Sequence, residues 1–133
     1  MTTPSSEQDL AREIAALERE LAADPTSSSY ARLADAYTRA GRFVDAIQLS
    51  KDGLKHHPDD VDGHISLGRG LFGAGKLARA VKVLRGALGL PGCTPEAYRL
   101  LGEILLRQNA PTEAVTILES AVERGVSDRA IAN

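Results

Sequence analysis

The sequence predicts an all-α fold of three stacked helical hairpins preceded by one further helix, and three observations carry that expectation. Residues recur at a fixed offset of 34, from Ser27 to Val61 to Pro95, and a period of that size marks stacked repeats. The recurring apolar places fall at helical spacing. Alanine and leucine are the commonest residues, aromatics make up 4% and Trp is absent, a mix that favours helix over strand. At 133 residues the chain suits one core and is too short for two.

The first element spans residues 1–26. Ser6 with Asp9 reads as a capping box, and Leu10, Ile14, Leu17 and Leu21 then form one stripe that ends before Asp24-Pro25. This is a capping helix for the first hairpin; the other reading of its stripe is a short heptad seam joining two chains.

Three ungapped copies follow, over residues 27–60, 61–94 and 95–128, and residues 129–133 start a further helix or form a stub. The fourth place of each copy holds a ring: Tyr30, His64 and Tyr98. The seventh holds Leu33, Leu67 and Leu101, and the eighth holds Ala34, Gly68 and Gly102. Tyr37, Leu71 and Leu105 share the eleventh, Ala46, Ala80 and Ala114 the twentieth, and Gly53, Ala87 and Ala121 the twenty-seventh. Places four, seven, eight and eleven make one stripe, and twenty, twenty-four, twenty-seven and twenty-eight make a second, so each copy is a pair of helices facing each other. Between the stripes stand Ala40-Gly41, Ala74-Gly75 and Asn109-Ala110-Pro111. There Gly or Asn can take the left-handed cap conformation, and Pro111 can open the next helix. Small residues at places eight and twenty let the two backbones approach, so bulk at Gly68 or Gly102 is expected to cost about 1–3 kcal/mol.

These residues resemble the tetratricopeptide repeat family, whose pattern combines an aromatic, Leu-Gly, a further aromatic or aliphatic residue, two alanines and a late proline. The resemblance covers about three quarters of the chain. It departs at the late proline, which is Pro58 in the first copy, displaced to Pro91 in the second and replaced by Val126 in the third. Ser50 also stands where a large apolar residue is usual.

The resemblance implies a right-handed α-α superhelix whose first helices line a concave groove that holds partner segments. The groove places are then Asp35 and Arg39 in the first copy, Asp62, Ile65, Arg69 and Phe72 in the second, and Arg99, Glu103, Leu106 and Arg107 in the third. Ile65, Phe72 and Leu106 are expected as exposed apolar contacts rimmed by arginine; the other reading packs them against a neighbouring helix or a terminal segment. The mixed signs suit an internal segment with aliphatic and acidic residues. The lysines and asparagines with which related modules hold a terminal carboxylate are missing, so acidic chaperone tails are not expected to bind.

Other function classes find little support. Net charge is −2 with both signs interspersed, which leaves no basic stripe for nucleic acid. Apolar runs are too short to insert in a membrane, and the amino terminus lacks the basic-then-apolar order of a secretory signal, so a cytoplasmic protein is expected. Cys93 is the only cysteine and has no neighbouring base in sequence. His56, His57, Asp59, Asp60 and His64 have metal-donor chemistry, but two histidines near a helix end suit its dipole and His64 fills the ring place. Gly68-Arg69-Gly70-Leu71-Phe72-Gly73 matches a dinucleotide fingerprint, yet that motif follows a strand and this stretch lies in a helix. Repeat phase accounts for Gly68 and Gly75 but not for Gly70 or Gly73; drift tolerated by packing is the favoured account of those two, with a softened helix as the other. No cofactor and no catalytic residue is expected. The reading is a protein-protein interaction adaptor or scaffold, monomeric or weakly dimeric. Arginine abundance points to a bacterial source. The alternatives are a bacterial secretion-type chaperone, implied by the same resemblance, and a self-assembling structural element.

Overall fold

Stripes of alanine and leucine at helical period produce seven α-helices and no strand among residues 6–125, which the computed structural model describes. In chain order these are α1 (Ser6–Ala23), α2 (Tyr30–Arg39), α3 (Phe43–His56), α4 (Val61–Gly73), α5 (Leu77–Leu88), α6 (Pro95–Arg107) and α7 (Pro111–Glu123). Val126, the stub at 129–133 and residues 1–5 lie outside the described residues. None of the described helices is long and apolar enough to cross a membrane.

The helices pair as α2 with α3, α4 with α5 and α6 with α7, and each pair turns through the same device. Gly41 and Gly75 sit at φ +77° and +78°, and Asn109 takes the same left-handed region at +59°, as the turn residues led one to expect. Around them the backbone closes with one recurring bond: Arg42 N–H to Tyr37 O at 2.8 Å, Lys76 N–H to Leu71 O at 2.8 Å and Ala110 N–H to Leu105 O at 2.9 Å. This bond satisfies carbonyls that a helix end would otherwise leave bare. Pro111 and Pro95 open α7 and α6, where a missing N–H costs nothing.

Two apolar clusters hold the stack. One joins α1 to the first hairpin through Ile14, Leu17, Leu33, Ala34, Tyr37 and Ala46. The other runs through the second and third hairpins, from Val61 and Leu71 to Leu101, Ile104 and Ala121. The α1 stripe therefore covers the first hairpin, and polar bonds fix its angle. Tyr37 Oη donates to Glu18 Oε2 at 2.7 Å, and Arg39 Nη2 donates to both Glu13 carboxylate oxygens at 2.9 Å. Ser6 is already helical, and Asp9 lies 3.9 Å from Arg12.

Glycines set the approach of the first and second hairpins. A Cβ on Gly63 would overlap the Tyr30 hydroxyl and come within 2.9 Å of Leu54; one on Gly73 would overlap the Phe43 ring; one on Gly70 would lie 3.2 Å from Ile47. Gly70 and Gly73 therefore each face a side chain of α3, a contact between hairpins that the sequence reading did not include. They lie under the Phe43 and Ile47 side chains of α3. The eighth place needs a correction. A Cβ at Gly68 would come within 2.9 Å of Leu84, but at Gly102 the nearest atom, on Leu118, is 3.6 Å away, an ordinary contact that admits one methyl.

Candidate protein-binding groove

The exposed edges of α2, α4 and α6 form a groove because each first helix follows its predecessor at one register. Three adjoining clefts of ≈ 470, ≈ 240 and ≈ 310 Å³ run along it, and Arg69 lines all three. The Arg69 guanidinium contacts Asp35 Oδ2 from α2 at 3.1 Å and Glu96 Oε1 from α6, so one arginine ties three hairpins across the groove floor. Asp35 Oδ1 and Thr38 Oγ1 are buried there without a hydrogen-bond partner in the protein. Buried polar atoms are normally paired, and both residues line the cleft that Arg39 and Arg69 also line.

The expected groove residues differ in their surroundings. Asp35, Asp62 and Arg69 meet in the largest of these three clefts, and Arg99 and Glu103 line the one beyond Arg69. Leu106 is 56% exposed, and the half-buried Phe72 lies under the Arg107 guanidinium at 5.6 Å, a cation-π contact that holds both side chains in place. Arg39 is engaged by Glu13 of α1. Ile65 is the correction: it is 2% exposed and packs in the main core. Place five of a first helix faces the first helix of the next hairpin, as the Ser66 Oγ donation to Ala31 O at 3.0 Å shows for α2 and α4. Ile65 therefore forms the cleft floor and offers no apolar side chain to a ligand.

Arg32 and Asp60 also line the largest of the three and were not expected there. Asp60 immediately precedes Val61 at the start of α4, beside the groove place of Asp62, and that adjacency was the available signal. Tyr30 Oη donates to Asp60 Oδ2 at 2.7 Å. Burial first, then this bond, raises the Tyr30 phenol above its ordinary value and keeps it protonated.

The histidines are used in joints. His57 Nε2 lies 2.7 Å from Thr26 O with its ring stacked on Tyr30, and His64 Nε2 lies 2.8 Å from Pro58 O. No group of three His, Cys, Asp or Glu side chains among the described residues is arranged to hold a metal. Burial pushes the Cys93 thiol above its ordinary pKa, with Arg124 opposing. That favours the unreactive thiol form.

The sequence profile described as tetratricopeptide repeat matches residues 31–94 and 65–129, together most of the chain. The chain belongs to the tetratricopeptide repeat family. Solved structures agree on the fold. A crystal structure of MamA superposes with a TM-score of 0.72 at 23% identity, covering 89% of this chain and 70% of the other. MamA from Desulfovibrio magneticus RS-1 gives 0.74 at 16% identity, over 86% of this chain and 66% of that one. The MamA MSR-1 structure gives 0.68 at 22%, covering 86% and 67%. At these identities the likeness is one of fold. No curated protein matches the chain in sequence. Tetratricopeptide repeats serve as protein-protein interaction scaffolds, and the hairpins, turns and groove described above are those of such a module.

Proposed function

We propose that the chain is an adaptor whose concave groove binds an extended segment of a partner protein. The observation that carries this reading is the run of three clefts meeting at Arg69 across α2, α4 and α6, with Asp35 Oδ1 and Thr38 Oγ1 unmet along its floor. A continuous path across three repeats suits an extended peptide better than a small molecule, which takes one enclosed pocket. Aliphatic side chains of the segment cover Phe72 and Leu106, and an acidic one meets Arg99 or Arg107. Arg69 is already paired on both sides, so it positions the groove and contributes little direct attraction.

Peptide display on the whole chain, counter-selected against a Phe72→Ala/Leu106→Ala variant, tests this. The expected winners alternate aliphatic and acidic residues, bind at micromolar affinity and shift amide signals of Thr38, Arg69 and Leu106. Winners that bind the variant equally well, or whose shifts map to the convex face, would contradict the assignment.

A further inference from the structure

A second interaction surface lies on the convex face, opposite the groove, and charge defines it. The second helices α3, α5 and α7 form that face, and their exposed places carry charge in different ways. Along α3 the two signs mix and pair locally, Arg42 with Asp45 at 2.9 Å and Lys55 with Asp52 at 3.6 Å. α5 contains no acidic residue, and Arg79, Lys82 and Arg85 share its exposed face. α7 contains no basic residue, and Glu113, Glu119 and Glu123 share its exposed face. Arg124, just past α7, turns away to donate to Leu88 O and Tyr98 Oη, both at 3.3 Å. Arg85 and Glu113 meet at 3.0 Å and join the two helices. Arg79, Lys82, Glu119 and Glu123 have no ion-pair partner among the described residues.

Between the charges both faces are low. On α5 the gaps hold Ala78 and Gly86, and a Cβ at Gly86 would meet nothing within 4 Å. The chain's own packing therefore does not call for a glycine inside this helix, where glycine weakens it. On α7 the glutamates alternate with Thr112, Thr116 and Ser120. Charged side chains thus stand above small neighbours, within reach of another surface. A cationic helix beside an acidic one is complementary to its own copy. A twofold axis along the seam marked by Arg85 and Glu113 lays α5 of each copy on α7 of the other, so the same favourable contact is made twice. A foreign partner has to match both signs in order, whereas a second copy does so by symmetry alone.

From this pattern we infer that the α5–α7 face is a site of self-association, occupied by a second copy of this chain in a closed dimer. Exposed ion pairs contribute little singly and are screened by salt, so the dimer is weak, reversible and salt-sensitive. The two grooves face outward and stay open to ligand. This surface does not depend on the groove reading.

Sedimentation equilibrium of the full 133-residue chain over a concentration series tests the proposal. A monomer–dimer equilibrium is expected in low salt, with a dissociation constant that rises about tenfold or more between about 50 and about 300 mM salt. Arg79→Glu/Lys82→Glu and Glu119→Lys/Glu123→Lys alter only exposed side chains, so both should fold, as melting curves check, and each should be monomeric where the wild type is dimeric. The first variant is acidic on both helices and the second basic on both, so a mixture should form a one-to-one heterodimer. Arg12→Glu/Arg19→Glu, an equal charge change placed on α1, should still dimerise by itself and should pair with the second variant about tenfold more weakly than the first does. A chain monomeric at every concentration, which would leave the face to an unrelated protein, would overturn the proposal. So would a dimer indifferent to salt or to both variants, assembly that grows beyond two copies, a mixture that stays monomeric, or equal pairing by the α1 variant.

Discussion

The two junctions between hairpins follow one backbone plan but distribute volume in opposite ways. Between the first and second hairpins the large side chains come from the preceding copy: Tyr30, Ile47 and Phe43 press on Gly63, Gly70 and Gly73. At the equivalent places of the next junction the preceding copy contributes His64, Val81 and Leu77, and the following copy contributes Ala97, Ile104 and Arg107. In each pairing one partner shrinks as the other grows. The pair within a hairpin behaves likewise, for Gly68 faces Leu84 and Gly102 faces Leu118, while the first copy combines Ala34 with Ser50 at those places. A repeat fold thus lets bulk move from one side of a contact to the other, within what close packing of the surrounding interior accepts.

The comparison breaks most visibly if bulk is placed on both sides. Gly70→Ile installs the residue of the second junction in the first without removing Ile47, and should cost about 3 kcal/mol or more, read from urea unfolding. Ile104→Ala empties the second junction and should cost about 2–4 kcal/mol. If both changes fall within about 0.5 kcal/mol of zero, the volumes do not interlock as described.

Alkali acts on the first junction through its ring. Burial and the bond to Asp60 raise Tyr30, and burial with the bond to Glu18 pushes Tyr37 up to about 12. Both phenols stay protonated when folded and ionise sooner when unfolded. Their contribution is therefore present below the ordinary tyrosine value, near 10, and is lost as pH rises through the folded values. Stability should hold to about pH 9 and then fall by up to about 1.4 kcal/mol per pH unit for each tyrosine. Urea midpoints between about pH 8 and 11 check this, and Tyr37→Phe should flatten the slope. A slope unchanged by that substitution would assign the loss elsewhere.

Smaller effects sharpen the contrast within hairpins. Gly68→Ala meets Leu84 and should destabilise by about 1 kcal/mol, whereas Gly102→Ala has room and should stabilise by up to about 1 kcal/mol through helix propensity. Ser50 is buried with its hydroxyl unmet, so Ser50→Ala should be neutral or stabilising by under about 1 kcal/mol. Thermal melts of the three variants separate the signs, and equal shifts for Gly68→Ala and Gly102→Ala would show that the two contacts do not differ.

Much of the architecture was legible in the sequence because it repeats. Period, ring place and the αL turns at Gly41, Gly75 and Asn109 follow from local chemistry copied three times, and the α1 stripe from its own helical spacing. What escaped was the contact between copies. Gly70 and Gly73 looked surplus because the repeat pattern describes one hairpin, and their reason, Ile47 and Phe43, lies in the preceding one. Ile65 looked exposed because the family's frame assigns place five to the groove. That place is buried only where another hairpin follows, and Arg99 has none among the described residues. Groove chemistry was half legible: the residue types could be read, but not that Arg69 is taken by Asp35 and Glu96.

The most direct test of a shared register with traded volumes is a double-mutant cycle on Tyr30→His and Gly63→Ala, which gives the first junction the His64–Ala97 pairing of the second. Each single change should destabilise, Gly63→Ala by about 2 kcal/mol because its methyl meets the phenol, and the pair should recover at least about 1 kcal/mol of the sum. Additive losses would mean that Tyr30 and Gly63 do not meet, and would contradict the register on which the groove rests.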